Sequence, residues 1–104
     1  LSTVRHDAIG LRGNGNFCGA QYMPGLLTIG DIAEVAGLIA PRPLVAEIGA
    51  QDMCFVVDDA RESFEQVSRI YAAAGAADRI EGDFHPEGHV WSGRKSFPWF
   101  ERWL

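Results

Sequence analysis

The chain has 104 residues, of which 47% are hydrophobic and 22% charged, and a formal net charge of -5. This composition excludes a disordered chain and sets the scale of one small domain, able to bury roughly two-thirds of its unfolded surface. Lys95 is the only lysine, so there is no basic face for phosphate, and no apolar run approaches the ~20 residues of a membrane span. Neither nucleic acid nor a membrane is therefore expected as a partner, and a soluble protein is expected.

Taken in chain order, residues 1–30 are irregular and punctuated by Gly10, Gly13, Gly15, Gly19, Gly25 and Gly30. A loop of that length is usually functional or packed by neighbouring parts. "DIAEVAGLIAP" opens with Asp31 at the N-cap and Glu34 at the capping-box position. Ile32, Val35, Ala36 and Ile39 share one helical face, and Pro41 stops the helix. "PLVAEIG" is apolar at most positions, the pattern of a strand covered on both faces of a parallel sheet.

"DDARESFEQVSRIYAAAG" is an amphipathic helix with Asp59 as candidate cap and Glu62 at its box position. Its buried stripe is Ala60, Phe64, Val67, Tyr71 and Ala74, with Gly75 at C′ and Glu65–Arg69 as a surface pair. "DRIEGDF" alternates and reads as a half-buried strand near a sheet edge. "SFPWFERWL" reads as a last helix capped by Ser96, with Pro98 in its first turn and Phe100, Trp103 and Leu104 turned inward. Helix, strand, helix, strand, helix is the order of an α/β fold with a parallel sheet.

In open α/β sheets chemistry gathers at the carboxyl ends of the strands. The first strand runs into "GAQDMCF", which supplies Asp52; the second runs into "HPEGHVWSG", which supplies His89. Parallel strands bring both residues to one rim, 37 positions apart in sequence. An aspartate beside an imidazole fixes its tautomer and stabilises its charged form, as in a nucleophilic triad. Gly88 is read as the residue that lets the turn fold tightly, and Trp91 either as lining the pocket mouth, where it shields one face of the ring, or as part of the core.

"YMPGLL", "DIAEVAGLIAPRPLVAEIGAQD", "IYAAAGAADRIE", "HPEGHVWSG" and "PWFERWL" together resemble the C-terminal portion of the α/β-hydrolases. The branch is that of acetyl xylan esterase-like and dienelactone hydrolase-like enzymes. The resemblance covers essentially the whole chain and implies a three-layer αβα fold. It makes Asp52 the acid and His89 the base of a Ser-His-Asp triad, in an enzyme that hydrolyses carboxylic esters, with acetylated carbohydrate as first substrate. It implies no metal and no organic cofactor.

Two departures stand out. "DMCF" replaces the Asp-Pro pair common after that strand. None of Ser2, Ser63, Ser68, Ser92 and Ser96 sits in a G-x-S-x-G elbow. Residues 1–104 therefore read as the C-terminal portion of a single domain, inactive alone. The nucleophile would come from an N-terminal half of the same enzyme or from a partner chain. The rival reading is a non-catalytic hydrolase-like module that binds a partner through its exposed edge.

The remaining candidates have plainer explanations. His6 beside Asp7 reads as a loop histidine, and His85 as an extended residue before Pro86. Cys18 and Cys54 match neither a zinc pattern nor a disulfide framework and read as buried free thiols. Cys54 is two residues from Asp52 but poorly placed for activation as a nucleophile. Trp99 and Trp103 read as packing against the sheet, Asp58, Asp59 and Glu62 as helix caps rather than a metal site. Tyr22 to Gly25 reads as a turn or, by the resemblance, as the edge of a substrate cleft.

Overall fold

The computed structural model describes residues 23–104. His6, Asp7, Cys18 and Tyr22 lie outside the described residues. After a short 3-10 turn at Leu26–Thr28 come α1 (Ile32–Gly37), β1 (Leu44–Gly49), α2 (Val57–Ala73), β2 (Ile80–His85) and α3 (Ser96–Trp103). A second 3-10 turn, Ala77–Arg79, leads into β2. The alternation of helix and strand is that of an α/β fold. The two strands pair in parallel, in a register that runs from Leu44 opposite Ile80 to Gly49 opposite His85.

α1 begins where the sequence places it. The Asp31 carboxylate accepts from Ile32 N–H, and Glu34 reaches back to Asp31 N–H at 2.6 Å, closing the capping box. Its buried residues are Ala33 and Gly37, whereas Val35 is exposed, so the expected stripe is displaced. The small residues face α2 and let the two helices come close. Ala33 joins Val67, Tyr71 and Ala76 in the core, with Leu44 and Ile80 from the strands packed against it. The Tyr71 hydroxyl donates to the Arg42 carbonyl at 2.7 Å and so ties α2 to the approach of β1. Burial pushes that phenol pKa up.

α2 starts two residues before the expected cap, with Val56 at the N-cap position and Asp58 and Asp59 inside the first turn. Acidic side chains there suit the positive end of the helix dipole without acting as caps. Ala60, Ser63, Val67 and Tyr71 are buried; Phe64 is half-buried and Ala74 exposed. Gly75 ends the helix at φ 70° as its C′ position requires.

On α3 the inward face is also different from the expected one. Ser96 and Trp99 are buried, Trp103 is half-buried, and Phe100 and Leu104 are exposed. The Ser96 hydroxyl donates to Glu47 on β1 at 2.5 Å, and this turns the Ser96–Trp99–Trp103 face onto the sheet. Lys95, not Ser96, is the N-cap residue.

Candidate active site

Parallel pairing brings the ends of β1 and β2 to the same rim, and two backbone hydrogen bonds extend the ladder beyond the strands. Ala50 N–H donates to the His85 carbonyl at 2.8 Å, and Gln51 N–H to the Glu87 carbonyl at 3.0 Å. The segment before His89 is thereby laid across the end of β1. Gly49 permits this: a Cβ there would stand 2.1 Å from the Gly88 oxygen and 2.7 Å from that of Glu87. Gly88, the glycine the sequence points to, has room for a Cβ, whose nearest atom would be the Gln51 oxygen at 3.4 Å. The close approach is made at the glycine that ends the strand, not at the one beside the histidine.

Beyond Gly49 the chain turns on Asp52. Its Oδ1 accepts from Cys54 N–H at 2.7 Å and from Phe55 N–H at 3.3 Å, so "DMCF" makes its own turn without a proline. Oδ2 is left to face His89 and lies 2.8 Å from the ring Nδ1. Burial alone would raise the Asp52 pKa, but the hydrogen bond from His89 and those from the two backbone amides outweigh it and hold the carboxyl below its usual range. An ionised carboxylate only accepts, so Nδ1 carries the hydrogen and Nε2 is left as the acceptor. The Asp52 side chain is 10% exposed and the imidazole 65%, which puts the oriented group toward solvent and its orienter underneath.

The loop after His89 is clamped from below by two strand carboxylates that the sequence reading passed over. Glu47 on β1 accepts from Ser92 N–H at 2.8 Å, Gly93 N–H at 3.1 Å and the Ser96 hydroxyl. Asp83 on β2 is fully buried, accepts from the Ser92 hydroxyl at 2.5 Å and pairs with Arg94. The end of β2 therefore buries polar residues: Asp83 and His85 are inside, and Phe84 is only partly covered. The cause is the returning loop, which covers that face of β2 and supplies donors to it.

Both carboxyl pKa values are lowered. For Asp83 the hydrogen bond from Arg94 is the largest cause; for Glu47 burial opposes the shift and the Ser96, Ser92 and Gly93 bonds prevail. A carboxyl with a lower pKa folded than unfolded adds stability above its unfolded pKa, and loses it as pH falls through the folded value. We predict that stability, followed by urea unfolding, falls on acidification below about pH 4, the ordinary carboxylate range. Asp83→Asn should flatten that slope and cost about 1–3 kcal/mol at neutral pH. The exposed Arg94 left behind is resolvated, which keeps the loss below that of stranding a buried charge.

An open cleft of about 390 Å³ lies over the pair, its lining including Glu47, Gly49, Asp52, Phe55, His89 and Trp91. Trp91 does not shield the imidazole. It is 63% exposed, its indole N–H donates to Ser96 at 3.0 Å, and its ring packs on Phe97 with centroids 4.9 Å apart. The ring beside His89 is Phe55, 5.7 Å between centroids. Cys54 is a free thiol as expected, but half-buried at the site rather than in the core. Its sulfur, an Asp52 oxygen and a His89 nitrogen all lie within 4.8 Å of one another.

Other candidates fall outside the site. His85 is buried, with its Nδ1 3.0 Å from Glu87 but outside hydrogen-bond geometry. Among the described residues no helix is long and apolar enough to cross a membrane. What the site offers chemically is an oriented imidazole with a buried anion behind it and a free nitrogen facing an open cleft. Comparison with protein-family models, curated proteins and solved structures found no match for the chain.

Proposed function

We propose that Asp52 and His89 are the acid and base of a serine-type carboxylic ester hydrolase, built on a three-layer αβα sheet of which the described residues form one end. The observation that carries this reading is the 2.8 Å contact between Asp52 Oδ2 and His89 Nδ1 at the common rim of two parallel strands. The nucleophilic hydroxyl comes from outside these 104 residues, from a preceding half of the same protein or from a partner chain. The serines present at this face are committed elsewhere: Ser92 to Asp83 and Ser96 to Glu47.

In the reaction, His89 Nε2 takes the hydroxyl proton as the serine oxygen attacks the ester carbonyl carbon. The tetrahedral adduct collapses, the carbon–oxygen bond to the alcohol breaks, and the imidazolium returns its proton to the departing alkoxide. A water molecule then repeats the sequence on the acyl-enzyme and releases the acid. Asp52 stabilises the imidazolium throughout. Acetyl esters of carbohydrates are the first substrates to try, on the sequence resemblance alone.

The test uses the full-length protein with a chromogenic acetyl ester and a fluorophosphonate probe, which reacts only with an activated serine. Hydrolysis together with stoichiometric labelling is expected. Absence of both would leave the binding-module reading in its place.

A further inference from the structure

Asp52, Cys54 and His89 place one carboxylate oxygen, one thiol sulfur and one imidazole nitrogen within 4.8 Å of one another. We propose that these three side chains form a binding site for a divalent transition-metal ion of borderline softness, with Zn²⁺ as its simplest representative. Occupation of the site switches off the acid–base pair. The switching half of this inference rests on the hydrolase reading; the binding half does not.

The donor set decides the class of ion. Calcium and magnesium take oxygen ligands, whereas a thiolate and an imidazole together select zinc and its neighbours. Three protein ligands leave one tetrahedral position for water or another ligand, and two of the three, Asp52 and His89, line the open cleft. Zinc bonds of 2.0–2.3 Å set ligand atoms about 3.3–3.6 Å apart around a tetrahedron. The backbone already approaches that arrangement. Oδ1 of Asp52 is held by the Cys54 and Phe55 amides, which places the Cys54 backbone on the same turn and keeps Oδ2 toward the ring. Closing the remaining distance takes a torsion of the Cys54 side chain and a slight opening of the Asp52–His89 contact.

The protons balance. The ion enters between Oδ2 and Nδ1 and replaces the hydrogen there, which moves to Nε2, while the thiol proton goes to solvent as the thiolate binds. With a hydrogen on Nε2, the ring no longer accepts one from a nucleophile.

The experiment is calorimetric titration of Zn²⁺ into the full-length protein carrying Cys18→Ser, which removes the other thiol of this sequence. Absorption with Co²⁺ serves as a second probe. Saturable one-to-one binding and a thiolate-to-cobalt charge-transfer band are expected. Cys54→Ser, a substitution that keeps the turn, should abolish the band and weaken Zn²⁺ by at least about 10-fold, the loss that even an outer-shell partner gives. No saturable binding, or a smaller loss in Cys54→Ser, overturns the site. Binding as stated in a protein that hydrolyses no ester leaves the metal site standing and removes the hydrolase reading. Ester hydrolysis that proceeds unchanged in the zinc-saturated protein removes the switching claim alone.

Discussion

On the hydrolase reading, replacing His89 with alanine is expected to lower the ester-hydrolysis turnover of the full-length protein by about 10⁶-fold, the loss seen when a triad base is deleted. Asp52→Asn should cost about 10⁴-fold, because an amide in place of the carboxylate favours the wrong ring tautomer. The two losses are not additive, since the aspartate acts only through the histidine. The histidine is exposed, so His89→Ala should leave the unfolding midpoint unchanged. In Asp52→Asn the amide oxygen still accepts from Cys54 and Phe55 N–H, through weaker uncharged hydrogen bonds, and the midpoint should fall only slightly. Steady-state kinetics with an acetyl ester, paired with urea unfolding, separates these effects. Undiminished activity in His89→Ala would remove the site assignment.

The second large effect is expected at a residue with no reactive group. Gly49→Ala places a methyl group 2.1 Å from a backbone oxygen of the segment that carries His89. Backbone cannot rotate aside as a side chain can, so the 87–89 segment must shift. Overpacking of this kind costs about 1–3 kcal/mol of stability. A displacement of an ångström between reacting groups costs about 10²-fold in turnover. Gly88→Ala, on the loop side of the same contact, meets only an ordinary neighbour and should be close to neutral on both measures. Comparable losses in the two alanine variants would show that the close approach at Gly49 does not hold the loop.

The parallel pairing of the strands and the juxtaposition of Asp52 with His89 were legible in the sequence because they depend on local signals. A capped helix, an apolar run ending in glycine and an alternating run before a GH turn are each readable within ten residues. Parallel pairing then follows from the alternation of elements, and the shared rim follows from parallel pairing. What the sequence hid depends on which way a loop returns. Glu47 sits in a mostly apolar run and Asp83 in an alternating one, and nothing marks either until the 91–95 segment covers that face and donates to both. The only available signal was a charged residue in each strand opposite a serine–glycine turn.

The same cause accounts for the exchanged aromatic and the exchanged glycine. Trp91 follows His89 closely in sequence, but its indole is drawn toward Ser96, and Phe55 from the Asp52 turn takes the place beside the ring. Sequence proximity favoured Gly88 over Gly49, although the crowding is between one strand's end and the other strand's loop. The helix faces shifted for a similar reason. Polar anchors such as Ser96 on Glu47 set the rotation of α3 more strongly than its apolar residues did.

The hydrolase reading depends on the hydrogen between Asp52 and His89, and nitrogen-15 NMR of the labelled histidine rings observes it directly. At neutral pH His89 should carry its hydrogen on Nδ1, with a downfield proton signal that disappears in Asp52→Asn. A His89 ring in the Nε2–H tautomer, or one whose spectrum is unchanged by that substitution, would contradict the pairing and the chemistry built on it.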